Sequence, residues 1–243
     1  MSVAWGKSAV LAFAALVFAG GAAAALPACP GEHTDVRISK KVAEPRVDYS
    51  KRSSQLETMK FTDPVASDRG FTRVAGLTVA AIAVDSEIRI ASSAATAPGE
   101  ATCAWPSVVT VTLSTAPTVY VGADHGICSR EVGLNHEMEH VGIDRNVIEA
   151  YGPIFRQRLG AMVDAMNSAA PEAGLDVDAA RSRIEEKINA VIAVVADSLN
   201  DDRSSRHRKL DSPQEYRRLS YACPMVTVDP KTAAARANMP KSN

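Results

Sequence analysis

Residues 135–140 read NHEMEH, and the spacing of the two histidines decides how the rest of the chain is interpreted. Residues four apart in an α-helix lie on the same face, so His136 and His140 can direct both imidazoles at one metal ion. Glu137 lies about 100° around the helix from His136, where its carboxylate can reach a water beside the metal. The spacing predicts a zinc site, with His136 and His140 as metal ligands and Glu137 as the catalytic general base.

The second half of the chain shows helical patterns. We predict a helix from near Ser129 to about Tyr151, where Gly152-Pro153 interrupts it. Two further helices are indicated by apolar residues at helical spacing over 155–166 and 184–199. Ser212-Pro213 begins a last short helix that leads to Cys223.

The sheet is predicted almost wholly before residue 122. Alternating apolar residues indicate a short strand at Val36 and Ile38 and two strands between 77 and 90. A brief helix ends at Met59, and residues 92–102 read as an exposed loop. The runs 109–113 and 119–121 are interpreted as a hairpin with Pro117 at its turn. The order of these elements predicts an α+β fold.

The first 25 residues have the layout of a secretory signal peptide. Lys7 precedes an apolar run over 9–19, and small residues with A-x-A cleavage positions follow as far as Ala25. We therefore predict a signal peptide over 1–25, a single domain over 26–228 and a flexible tail over 229–243. The mature chain is expected to be secreted or periplasmic, without a stable transmembrane helix. The alternative is a lipoprotein anchored at Cys29, because the preceding Leu-Pro-Ala loosely resembles a lipobox.

An even number of cysteines in an exported chain suggests disulfide bonds, and this chain has four. The spacing leaves their connectivity open. We expect Cys103 to pair with Cys128, bracketing the predicted hairpin, and Cys29 to pair with Cys223, joining the two ends of the chain. A zinc site built from cysteines is disfavoured, because no two of them have a C-x-x-C spacing.

Composition indicates a folded domain rather than a charged or disordered one. Hydrophobic residues make up 46% of the chain, enough for a sizeable core. The 27 Lys and Arg residues nearly balance the 28 Asp and Glu residues, so the net charge does not indicate nucleic acid as a partner. The expected partner is a peptide or protein substrate, including components of the cell envelope.

Several of these features together resemble a known family. They are a signal peptide, a Thr-rich strand pair ending in TVYVG (118–122), a cysteine just before the helix, and NHEMEHVGIDRNVIEAYGP (135–153) followed by more helices. This combination resembles a bacterial group of predicted secreted zinc-dependent proteases whose substrate is unknown. The resemblance implies a zincin-like α+β fold, in which a small antiparallel or mixed sheet precedes the active-site helix. It also implies Zn²⁺, with His136 and His140 as ligands and Glu137 as base.

A third metal ligand is not marked by any motif. The chain departs from the metzincin pattern HExxHxxGxxH, because Gly142 comes one position early and Asn146 stands where the third histidine belongs. The candidates left open are Asp144, Glu149, His125, Glu185, Glu186, Asp197 and His207. His207 lies in the polar segment 200–212, which is interpreted as a solvated connection.

The sequence thus predicts a secreted zinc metallopeptidase that hydrolyses peptide bonds through a metal-activated water, with Glu137 as base. The alternative is a non-catalytic, disulfide-braced envelope protein that retains a degenerate zincin scaffold and binds a partner. The unassigned third ligand motivates this alternative. A carboxylate or imidazole that joins His136 and His140 at one point would favour the enzyme.

Overall fold

Short strands precede long helices in the computed structural model, which describes residues 33–59, 75–93, 103–168 and 176–223. The strands are β1 (Asp35–Val42), β2 (Arg46–Asp48), β3 (Gly76–Val79), β4 (Ala83–Ser93), β5 (Cys103–Thr115) and β6 (Thr118–Val121). The helices are α1 (Ser53–Met59), α2 (Ile127–Ser168), α3 (Val177–Leu210) and α4 (Pro213–Ala222). The predicted α+β class is confirmed. The predicted signal peptide, the predicted tail and residues 94–102 of the predicted loop lie outside the described residues.

The described strands form two three-stranded sheets with the same plan. Their orders are β1-β5-β4 and β2-β6-β3. In each sheet the central strand has a parallel neighbour on one side and an antiparallel neighbour on the other. Backbone hydrogen bonds from Ala43 N–H to the Thr115 carbonyl and from Arg46 N–H to the Pro117 carbonyl, both 3.0 Å, carry the pairing from one sheet to the other. The small sheet thus continues the larger one.

β5 and β6 do not form the hairpin that the sequence predicted. They are the central strands of different sheets, and the parallel register runs on from Val42 opposite Thr115 to Arg46 opposite Thr118. Ala116-Pro117 lacks the glycine or asparagine that a tight hairpin turn prefers, and Pro117 has no N–H to donate to a ladder. The proline therefore interrupts the strand instead of reversing the chain.

The main core lies between the larger sheet and the helices α2 and α3. Val109, Val111 and Leu113 alternate along β5 and are fully buried, as their spacing predicted. The helices cover them with apolar side chains at helical spacing, which from α2 are Val147, Ile148, Tyr151, Phe155, Leu159 and Val163, and from α3 are Ile184, Ile188, Ile192, Val195 and Leu199. A second cluster of Val119, Val121 and Val141 packs β6 against the part of α2 that carries NHEMEH. The motif is therefore anchored to the small sheet.

α2 is one helix of 42 residues, so the break predicted at Gly152-Pro153 is wrong. Pro153 has no N–H for the carbonyl four residues earlier, which costs about 3 kcal/mol in a helix interior. Tyr151, Phe155 and Leu159 around the proline are buried in the core. Their packing outweighs that cost, and the predicted second helix over 155–166 is part of α2.

α3 continues beyond Leu199, through the segment that was interpreted as a solvated connection. Leu199, His207 and Asp211 are buried and Arg203 is half-buried, and these positions recur four residues apart. The same helix face therefore stays against α2 while its character changes from apolar to polar. α4 follows as predicted, with Ser212 as its N-cap accepting the Glu215 N–H at 3.2 Å.

A disulfide joins Cys128, near the start of α2, to Cys223, at the end of α4, with 5.9 Å between their Cα atoms. Both expected pairings are therefore wrong, because each would need Cys128 or Cys223 as a partner. The first expectation depended on a hairpin that does not form. Cys103 is also disulfide-bonded, and Cys29 lies outside the described residues. Among the described helices, none has a stretch long and apolar enough to cross a membrane.

Candidate metal centre

His136 and His140 lie one turn apart on α2 and direct their Nε2 atoms at the same carboxylate oxygen. Asp211 Oδ1 lies 3.1 Å from His136 Nε2 and 2.9 Å from His140 Nε2. One ligand atom from each of the three residues lies within 4.8 Å of the other two. All three side chains are buried. The structure thus brings the two predicted histidines together with an acid that sequence reasoning did not consider.

These three side chains fit a divalent metal ion. Two imidazole nitrogens and a carboxylate oxygen suit zinc, and tetrahedral bonds of about 2.0–2.2 Å separate the ligand atoms by about 3.3 Å. The nitrogen–oxygen distances of 3.1 and 2.9 Å are close to that separation. Three protein ligands leave a fourth position for water or substrate, as in catalytic zinc sites. Other first-row divalent ions accept the same donors.

None of the seven residues that the sequence offered as a third ligand lies beside His136 and His140 in this group. His125 lies in the loop after β6, where its Nε2 is 2.7 Å from Ser53 Oγ, and Glu149 pairs with Lys40 at 2.5 Å. The acids on α3 are exposed, namely Glu185, Glu186 and Asp197. Asp144 and His207 are buried but contact each other instead of the metal position.

Asp211 could have been found from the spacing of α3. Steps of four residues from Leu199 lead to half-buried Arg203 and then to His207 and Asp211, which are buried on the same side of the helix. Interpreting residues 200–212 as a loop removed that periodicity from consideration. The polar residues were placed in solvent because charged side chains are seldom buried unless they are paired.

The second ring nitrogen of His136 faces an acidic residue on α4. Glu215 Oε1 lies 3.5 Å from His136 Nδ1, and Arg218 donates to the Glu215 carboxylate from its Nε at 2.7 Å. Hydrogen bonding to Arg218 lowers the pKa of Glu215, which keeps this neighbour anionic. Burial lowers the pKa of His136, and the Glu215 and Glu139 carboxylates partly offset that effect. A neutral imidazole is the form that binds metals.

The side chain of Glu137, on α2, is buried against β3, an edge strand of the small sheet. A Cβ atom at Gly76 would lie only 2.6 Å from Glu137 Cγ, so a glycine makes room for this side chain. The Thr78 hydroxyl donates to the backbone carbonyl of Glu137 at 3.0 Å. Burial raises the pKa of Glu137 to about 7, and hydrogen bonding to Thr78 opposes the rise. A carboxyl with a pKa near neutrality can exchange a proton readily at pH 7.

Tyr216, on α4, contacts Asp211, the residue at the third ligand position. Its hydroxyl donates to Asp211 Oδ1 at 3.3 Å, and its ring centre lies 5.9 Å from that of His136. The Tyr216 hydroxyl thus helps to hold the Asp211 carboxylate in its position facing the two histidines. The corner between α3 and α4 supplies both the acid and a group that orients it.

No family model matches this chain, and no curated protein or solved structure matches it significantly. The resemblance to secreted zinc-dependent proteases therefore stays a prediction.

Proposed function

We propose that this protein is a zinc-dependent peptidase of zincin type that acts outside the cytoplasm. The observation that carries the proposal is the convergence of His136, His140 and Asp211 on one point, with Glu137 one residue from the first ligand. The non-catalytic alternative was motivated by the lack of a third ligand. Asp211 supplies a residue for that position, so hydrolysis is the better-supported function. A bound zinc ion would polarise a carbonyl group and acidify a water molecule.

Glu137 is the proposed proton acceptor and donor. Its carboxyl does not belong to the three-residue metal group, but the residue lies on the same turn of α2 as His136 and His140. Gly76 leaves room for the side chain, and Thr78 hydrogen-bonds to Glu137. It takes a proton from the attacking water and delivers it to the leaving amine. Its raised pKa suits both steps, because the group is neither strongly acidic nor permanently protonated at neutral pH.

β3 is the proposed docking strand for the substrate. It is an edge strand in the order β2-β6-β3, and its Gly76 and Thr78 contact Glu137. A peptide in extended conformation can add to such an edge through main-chain hydrogen bonds. This arrangement would bring a peptide carbonyl beside Glu137, which supports a peptide or protein as the substrate class.

Export is part of the proposal. The Cys128–Cys223 disulfide suits an oxidising compartment. The leader-like residues 1–25 support the same location.

The test uses the full-length chain, produced where disulfides form, with three measurements. We expect one zinc ion per chain by elemental analysis, hydrolysis of a denatured protein or a peptide library, and loss of hydrolysis on removal of the metal. Glu137→Gln should keep the metal and lose at least about 100-fold in activity, since positioned acid–base groups contribute roughly 10²–10⁴.

The matched control is Glu131→Gln, which changes an exposed acid on the same helix. It should retain both the metal and the activity. A gently purified wild-type protein without stoichiometric divalent metal would overturn the proposal. Full activity in Glu137→Gln would overturn the role of that residue.

A further inference from the structure

A row of buried side chains, with half-buried Arg203 at its far end, leads away from the metal centre between α2 and α3. Arg203 donates to the two oxygens of Asp144 at 2.7 and 3.1 Å. Asp144 Oδ1 lies 2.7 Å from His207 Nε2, and His207 Nδ1 lies 2.6 Å from His140 Nδ1. The other nitrogen of His140 faces Asp211. The row therefore ends at the proposed metal position.

The contact between the two histidines is a hydrogen bond in the plane of both rings. Their ring centres are 4.9 Å apart and their planes differ by only 11°. With the two Nδ1 atoms 2.6 Å apart, the rings lie edge to edge instead of one above the other. One of the two nitrogens must donate and the other must accept.

The polarity of the row follows from its two ends. Arg203 has only donors, so Asp144 accepts from it. Burial would raise the pKa of Asp144, but hydrogen bonds from His207 and Arg203 outweigh burial and lower it. The Asp144 carboxylate therefore accepts the Nε2–H of His207. At the other end, an imidazole that binds a metal through Nε2 carries its proton on Nδ1, so His140 donates to His207 Nδ1 when the metal is bound.

We propose that His207 and Asp144 are positioning residues that hold His140 in the Nδ1–H tautomer, with its Nε2 lone pair directed at the metal. A lone pair on His140 Nε2 faces the Asp211 carboxylate oxygen at 2.9 Å, and the two repel unless a cation lies between them. The row thus prepares the centre for a metal and orients one ligand. This inference rests on the metal binding of the proposed function and not on hydrolysis.

Asp144→Asn tests the row with little change of shape. Asp144 Oδ1 faces both Arg203 Nε and His207 Nε2, each at 2.7 Å, so the amide oxygen takes this position and the amide NH₂ faces the second Arg203 donor. The substitution removes the negative charge, so His207 Nε2–H has a weaker acceptor and His140 is held less firmly with its Nε2 lone pair toward the metal. We expect the Zn²⁺ affinity, measured by competition with a chromogenic chelator, to fall about 10–100-fold, the usual cost of losing an outer-shell partner.

The chain contains a matched control on α3, the helix that carries Arg203 and His207. Asp202 pairs with Arg206 through two hydrogen bonds of 3.0 and 2.8 Å, the same arrangement as in Asp144–Arg203. This pair is partly exposed and makes no contact with the histidines among the hydrogen bonds of the described residues. Asp202→Asn should bind Zn²⁺ as tightly as the wild type.

The tautomers can also be measured directly in the wild-type chain. Long-range ¹⁵N–¹H correlation of the histidine rings, recorded on the Zn²⁺-loaded protein, should show protons on His140 Nδ1 and His207 Nε2. This measurement decides the question even where Asp144→Asn does not fold. A proton on His207 Nδ1 would overturn the inference, as would wild-type Zn²⁺ affinity in folded Asp144→Asn.

The outcomes separate this inference from the proposed function. Weak Zn²⁺ binding in Asp144→Asn, combined with a wild-type protein that hydrolyses no peptide, would leave the positioning row standing and remove the peptidase. Wild-type protein that binds no Zn²⁺ would overturn both.

Discussion

The two sides of the candidate metal centre are held in different ways. On one side, His136, Glu137 and His140 lie on a helix whose adjoining turns are buried against both sheets. On the other side, Asp211 lies at the corner before α4, a helix of ten residues without a single buried one. The first side is shaped by the core, whereas the second depends on polar contacts and on a disulfide.

This difference assigns separate tasks to the two sides. The α2 side sets the spacing of the two imidazoles through helix geometry alone. The α4 side decides whether the third ligand is present and correctly oriented, through Tyr216 and the link from Cys223 to Cys128. Changes at the corner should therefore alter metal affinity, and changes on β3 or α2 should alter catalysis or stability.

The largest effect is expected from the double variant Cys128→Ser with Cys223→Ser. The disulfide spans 95 residues, and removing such a link typically costs about 2–5 kcal/mol of unfolding free energy. Chemical denaturation of the metal-free protein measures this loss. Zn²⁺ affinity should fall as well, because α4 is released while α2 stays folded. Tyr221→Ala, at a side chain on α4 that is 83% exposed, is the control and should alter neither property.

Unchanged Zn²⁺ affinity in the folded double variant would contradict the role assigned to the disulfide. It would mean that the polar contacts of Asp211 hold the corner without the disulfide.

Asp211→Ala should weaken Zn²⁺ binding by at least about 100-fold. Losing an outer-shell partner costs about 10–100-fold, and this variant removes a proposed direct ligand. Competition with a chelator measures the affinity. Asp197→Ala, which removes an exposed acid from α3, serves as the control and should bind as the wild type does. Equal affinity of the two variants would show that Asp211 is not a ligand.

Gly76→Ala tests the proposed base while leaving the metal ligands in place. The new methyl group would meet Glu137 Cγ at 2.6 Å, so the carboxylate must move. Misplacement of a catalytic group by about 1 Å can cost about 100-fold, and we expect kcat/KM to fall by up to that factor. Zn²⁺ affinity should not change. Gly126→Ala, where a Cβ meets nothing within 4 Å, is the control; equal activity of both variants would contradict this role of Gly76.

The smallest effect is expected from Gly142→Ala in the middle of α2. A Cβ at this position also meets nothing within 4 Å. Alanine in a helix interior is favoured over glycine by about 0.5–1 kcal/mol, so thermal unfolding should shift upward. Zn²⁺ affinity should stay the same. A loss of stability would indicate that α2 needs a flexible residue just after His140.

The sequence predicted the α2 side of the site better than the corner. The relation between His136 and His140 depends only on a spacing of four within a helix, and their convergence needed no tertiary information. Asp211 lies 71 residues after His140, and a long α3 must double back to bring it there. No motif marks such a partner, although the four-residue steps after Leu199 point toward it.

Errors in the fold prediction came from giving local signals too much weight. Gly152-Pro153 is a strong helix breaker by propensity, yet core packing carries α2 through it. Ala116-Pro117 predicts a turn by its local residues, yet it only divides two strands that continue in one direction. The disulfide prediction inherited that error, because one pairing was chosen to bracket the presumed hairpin.

By itself, the sequence determined the α+β class, several of the strands and helices, and the shared face of the two histidines. These features follow from periodicity, which is a property of neighbouring residues. The tertiary structure alone decided the third corner, the row from Arg203 to His140 and the pairing of Cys128 with Cys223. These depend on how α3 and α4 return along α2, and that path is set by burial of the apolar faces against the sheets, a long-range effect that no short stretch of sequence contains.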